Sequence, residues 1–205
     1  LDAETLASLT VLRYPDPRLR EKAQPLRPDD LGASLLALVG PAEGDPWPIS
    51  VVAGEHAGDD IARALTFESG DRRTPGMTIV AIEARAASVE DVARLSALVP
   101  ATMRLAVEVP LSLDRGLRQS VIAAVGSAAR IAKLRTGGTT ADAIPTPRAV
   151  AEFIWDCARA GVPFKATAGL HHPVRSEQRL TYALDSPTAV MHGFLNVFFA
   201  AVLAR

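Results

Sequence analysis

From about residue 48 the chain alternates short continuous apolar runs with longer segments whose apolar positions recur every three or four residues. The runs at 48–54, 77–85, 103–110, 130–135 and 162–168 predict five strands. They show no apolar–polar alternation, which is the pattern of parallel strands covered on both faces. The segments between them predict helices. Ser88 is placed to cap one, with Glu90 and Asp91 in its first turn and Val89, Val92, Leu95 and Leu98 as its stripe. Asp114 caps the next, with Leu117, Val121 and Val125 toward the sheet. Thr146 caps a third that begins at Pro147, carries Val150, Phe153, Ile154 and Cys157 inward, and ends at Gly161. The tail from Phe194 to Leu203 reads as an apolar helix. Strand–helix alternation of this kind implies an α/β fold with right-handed crossovers.

Polar residues interrupt the strands at regular intervals. Glu83, Glu108, Lys133 and Lys165 occupy one strand each, separated by 25, 25 and 32 residues. One strand, one helix and two loops need about that length, so the four are expected at comparable heights on one face. Arg85, Arg135 and Thr167 share the parity of Glu83, Lys133 and Lys165 and lie one step nearer the carboxyl ends, where ligands bind in α/β barrels and open sheets. His171 keeps the same parity if the last strand stays extended. Thr136, Gly137, Gly138 and Gly169 follow the lysine strands and offer backbone amides for an anion. Lysine is costly to bury. Two of them on neighbouring strands therefore point either to chemistry or to Glu–Lys pairs that fix strand register.

Five strands are short of an eight-fold barrel, which takes about 250 residues. The expected fold is α/β with a parallel (β/α) barrel-like sheet, a partial or truncated TIM barrel, in residues 48–205, preceded by an N-terminal extension and linker in residues 1–47. The 205 residues carry a net charge of −1, which gives no basic footprint for nucleic acid and no membrane-binding surface. No apolar run reaches the length of a membrane span and the N-terminus lacks a signal-peptide pattern. The single cysteine, Cys157, excludes an intramolecular disulfide and fits a reducing cytoplasm. Its place on a helix stripe makes it a core thiol. The four histidines supply no three-ligand motif, so neither a metal nor another cofactor is expected. The expected partner is a small molecule, and open sheet edges with an apolar terminal helix point to self-association.

Four resemblances add to this reading. Lys133-Leu-Arg-Thr136-Gly137 and Lys165-Ala-Thr-Ala-Gly169 resemble the paired lysine strands of class I aldolases of the deoxyribose-phosphate aldolase type. That resemblance implies a Schiff-base carbon–carbon lyase acting on a small carbonyl or phosphorylated substrate. Lys133 would be its nucleophile, Lys165 the charge that lowers the nucleophile's pKa, and Glu108 a candidate for proton transfer. The segment from Phe164 to Val174, with His192-Gly-Phe-Leu-Asn196, is similar to a bacterial family of unassigned activity and implies no reaction. Residues 10–25 resemble the opening of peptide deformylase, without its metal-binding Cys or His-Glu-x-x-His helix. Strands around Val107-Glu108 and Lys133 also resemble those of the enolase superfamily, where carboxylates bind magnesium. The alternatives are a non-catalytic binding or scaffold domain built on Glu–Lys pairs, and a metal-assisted enolase-like enzyme using Glu83, Glu108 and His171.

Overall fold

The computed structural model describes residues 47–69, 77–181, 183 and 185–204. Residues 1–46 of the expected N-terminal extension, with its deformylase-like segment, lie outside the described residues. The chain forms two compact units. The larger comprises residues 50–62 and 80–205, and the described part of the smaller comprises residues 47–49, 63–69 and 77–79. Within the smaller unit the Glu68 carboxylate accepts hydrogen bonds from the Thr78 hydroxyl and the Ile79 amide, both at 2.8 Å.

The strands are β1 (Trp47–Val52), β2 (Met77–Arg85), β3 (Arg104–Glu108), β4 (Ile131–Arg135) and β5 (Phe164–Thr167), in the sheet order β1-β2-β3-β4-β5. The pairs β2–β3, β3–β4 and β4–β5 are all parallel. Helices α1 (Ala57–Ser69), α2 (Val89–Leu98), α3 (Arg115–Ser127) and α4 (Pro147–Ala160) follow β1 to β4 in turn. The core between sheet and helices holds Ile82, Leu105, Val107, Ile122, Leu134, Phe153 and Ile154, all essentially inaccessible. The helix-facing positions of β2, β3 and β4, Ile82, Leu105, Val107 and Leu134, are accordingly apolar and buried.

The sheet curls into a half-barrel, and side-chain reach shows it. Lys165 on β5 bonds Glu83 on β2, three strand spacings away. On a flat sheet that is about 14 Å, with both side chains standing perpendicular to it. Contact requires the strands to bend toward one another, which makes the Glu83–Lys165 face concave.

The helix ends follow the caps expected from sequence. Ser88 Oγ accepts from the Asp91 amide and Asp114 Oδ1 from the Leu117 amide, both at 3.1 Å, and Thr146 Oγ1 accepts from the Ala149 amide at 3.2 Å. Gly161 closes α4 at φ 66°, a left-handed conformation that suits glycine. Arg130 seals the other end of α2 by donating to the carbonyls of Ser96, Val99 and Met103.

Two stripes need correction. Val89 and Leu98 lie exposed at the ends of α2, and only Val92 and Leu95 reach the core. On α3, Leu117 is exposed and its neighbour Arg118 is buried instead. The Arg118 guanidinium meets Asp156 at 3.3 Å and Glu152 at 3.4 Å on α4, so the α3–α4 seam is partly ionic. A charged residue one position from an apolar one gave no sign of this in the sequence. The α4 stripe is wholly buried as expected, and burial pushes the Cys157 thiol up to about 12, that of an inert core cysteine.

After β5 comes an antiparallel pair that the apolar pattern did not reveal, β6 (Ser176–Arg179) with β7 (Thr188–Met191). Helix α5 (Phe194–Leu203) then packs against α4. No helix among the described residues is long and apolar enough to cross a membrane.

Candidate functional site at the concave face

Register brings the expected residues onto one face but not to one height. Arg85 pairs with Glu108, Glu108 with Lys133, and Lys133 with Lys165, a single row across four strands. Glu83 pairs with Ala106 and so sits two residues below that row. The equal spacing of 25 residues suggested equal height; loop lengths absorb the difference.

The four charges nevertheless converge. Lys133 Nζ lies 2.9 Å from Glu83 Oε2 and 3.0 Å from Glu108 Oε2. Glu83 Oε1 accepts from Lys165 Nζ and, at 3.2 Å, from Ser50 Oγ on β1. Side-chain exposure grades from 5% at Lys133 and 8% at Glu83 to 19% at Glu108 and 43% at Lys165. The network is therefore closed at its centre and open at its Lys165 end, with two carboxylates balanced by two ammonium groups.

Electrostatics follow from this pairing. Burial pushes the Glu83 carboxyl up, but hydrogen bonds and charge from Lys133 and Lys165 outweigh it and hold the pKa at about 2. Burial also disfavours the Lys133 ammonium, yet bonds and charge from Glu83 and Glu108 win and raise its pKa above the usual lysine value. This corrects the expectation that Lys165 would lower the pKa of Lys133. Lys165 spends its charge on Glu83, and the immediate neighbours of Lys133 are both anionic.

A cavity of about 600 Å³ opens over this floor. Its lining includes Glu83, Glu108 and Lys133 below, Arg85 and Arg135 at the strand ends, and the 52–59 segment with His56 and Asp59 as a wall. Arg85 and Arg135 are exposed and form no ion pair among the described residues. The wall was missed in the sequence, because Glu55, His56 and Asp59 lie in a turn and helix start outside the strand pattern. Gly54 is the usable signal: its amide donates to Asp60 Oδ2 at 2.7 Å, which folds the chain back over the strand end.

The remaining expected site residues do other work. Thr136 is fully buried and its hydroxyl donates to the carbonyls of Thr167 and Ala168, clamping β4 to β5. A Cβ on Gly137 would meet Gly169 Cα at 3.0 Å, so these glycines permit backbone-to-backbone packing. A Cβ on Gly138 would meet Ala143 Cβ at 2.7 Å. None of Thr136, Gly137, Gly138, Thr167, Gly169, Lys165 and His171 lines the cavity. His171 lost its parity because β5 ends at Thr167 and the chain turns through positive φ at Ala168 (66°) and Gly169 (71°). It lies exposed beyond the turn.

The segments 164–174 and 192–196 pack on each other. The amides of Phe194 and Leu195 donate to the carbonyls of His172 and Pro173 at 2.9 and 3.0 Å, and Asn196 Oδ1 accepts from the Arg175 amide at 2.8 Å. Buried His192 donates from Nε2 to the Pro145 carbonyl at 2.7 Å. These histidine-rich stretches are a structural joint between the end of β5 and the start of α5.

The described residues contain no group of three His, Cys, Asp or Glu side chains that could hold a metal ion. Glu83 and Glu108 share the Lys133 ammonium between them.

No family model and no curated protein matches the chain. Among solved structures it is similar to a crystal structure of enolase from Bradyrhizobium complexed with magnesium and mandelic acid, with 15% identity and a TM-score of 0.44. The similarity covers 86% of this chain, which spans 42% of the length of that one.

Proposed function

We propose that the half-barrel is a binding domain for a small anion bearing a carboxylate or phosphate group, seated over the Glu83–Lys133–Glu108 floor. The observation that carries this reading is the pair Arg85 and Arg135. Both line the cavity and both are left without a carboxylate partner among the described residues. Guanidinium groups suit planar or tetrahedral oxyanions because they donate in a fixed fork. The Glu83 and Glu108 carboxylates beneath them are held by Lys133, and neither pairs with the two arginines. Titration calorimetry with inorganic phosphate and with a short dicarboxylate checks the reading. At least one probe should bind, and Arg85→Ala or Arg135→Ala should weaken it about tenfold or more, a charged hydrogen bond being worth about 1.5–3 kcal/mol. Absence of binding by both probes, or binding indifferent to both substitutions, would favour a scaffold role in which the ion pairs serve the fold alone.

The Schiff-base lyase reading requires a neutral amine at Lys133. Its two carboxylate partners work against that. Borohydride reduction in the presence of a small aldehyde should accordingly label exposed Lys165 and leave Lys133 unmodified. Selective trapping on Lys133, located by peptide mass mapping, would restore the aldolase-like assignment.

A further inference from the structure

We propose that the outward face of α5 is the surface through which two copies of this chain associate. The helix is inverted in the sizes of its apolar residues. Its inward positions are Val197, Ala200 and Ala201, whereas Leu195, Phe198, Phe199 and Val202 form an i, i+3, i+4, i+7 stripe toward solvent. Phe198, Phe199 and Val202 are 66%, 64% and 67% exposed, and Leu203 beside them is 80% exposed. An aromatic side chain offers about 150–250 Å². The stripe with its flanks therefore holds on the order of 600 Å² of apolar surface in water, the upper end for a monomer and most of the roughly 800 Å² per partner that a standard interface uses.

Charge selects the occupant. The helix carries no charged side chain from Phe194 to Leu203, and its one polar residue, Asn196, already accepts the Arg175 amide. A partner bringing charges would find no counter-charge here. A second copy brings an identical uncharged stripe, and across a two-fold axis the same patch must match itself. This patch does so without like-charge contact.

Sedimentation velocity on the full chain at micromolar concentrations should show a dimer. Phe198→Glu and Val202→Glu, each at a solvent-facing position, should raise its dissociation constant about thirtyfold or more while leaving the helical circular dichroism intact. Leu98→Glu, an exposed apolar position on α2, should leave the dimer unchanged. Hydrogen exchange needs no substitution: amides of α5 should gain protection only above the concentration at which the dimer forms. A wild-type monomer, a dimer indifferent to both α5 changes, equal disruption by Leu98→Glu, or protection of α5 independent of concentration would each overturn the proposal.

Discussion

Lys133→Met should destabilise the larger unit by about 3–5 kcal/mol, the cost of removing one partner from a buried ion pair. The change deletes the ammonium that both Glu83 and Glu108 hold at about hydrogen-bond distance. Glu83 keeps Lys165 and Ser50, but Glu108 loses its only ion-pair partner among the described residues. Lys165→Met should cost only about 1 kcal/mol or less, because that ammonium is 43% exposed and water replaces it. Replacing Glu83, Glu108 and Lys133 together by apolar residues of similar volume should recover most of the loss, since a well-packed apolar substitute often matches a buried pair. Urea unfolding of the three variants at neutral pH checks the ranking. Equal, small effects of Lys133→Met and Lys165→Met would mean that the centre of the network is wetter than its burial indicates.

Stability should fall in acid through Glu83. Its folded pKa of about 2 lies below the ordinary carboxyl value of 4.5. A group depressed in the folded state contributes stability that is fully present above its unfolded pKa and is lost as pH falls through the folded one. The window is therefore from about pH 4.5 down to about pH 2, and the contribution is on the order of 3 kcal/mol. Glu83→Gln should be less stable than the native protein at pH 7, and the difference between them should shrink steadily across that window. A difference that stays constant from pH 7 to pH 2 would show that Glu83 titrates alike in folded and unfolded chains.

The amount legible in the sequence differed between backbone and side chains. Caps at Ser88, Asp114 and Thr146 and the stop at Gly161 were readable, because each is a local hydrogen bond or a local φ requirement. The strand over Met77–Arg85 was readable because nine residues of near-unbroken apolar character have few alternatives. Parity also carried through: Glu83, Glu108, Lys133 and Lys165 do share a face, since side-chain direction depends only on position within a strand.

Height and partner choice did not carry through. The step of Glu83 below the row depends on how β2 slides against β3, which loop length alone does not set. Sequence also suggested that the second lysine would press on the first, as in the aldolases the motif resembles. Curling of the sheet instead let Lys165 reach across to Glu83, and strand neighbourhood gave Lys133 two carboxylates. Two carboxylates beside Lys133 favour its charged form. The glycines carry a related ambiguity. Close approach of backbone to backbone and close approach of backbone to ligand need the same residue, and only the fold shows which occurs.

The β6–β7 pair was illegible because its strands are four residues each: β6 is wholly polar, and the three apolar residues of β7 are too short a run to read as a strand. The buried Arg118–Asp156 pair was equally hidden, since helix periodicity places charged residues outward by default.

The charge state of Lys133 decides between an ion-paired floor and a nucleophile. Heteronuclear NMR of the lysine side chains, with Lys133 assigned by comparison with Lys133→Arg, reads it directly. The ε-carbon and ζ-nitrogen shifts should remain those of an ammonium through neutral and mildly alkaline pH, with a midpoint above the ordinary 10.5. A Lys133 resonance that titrates near neutral pH, well below the other lysines, would contradict the ion-pair account and reinstate the activated amine.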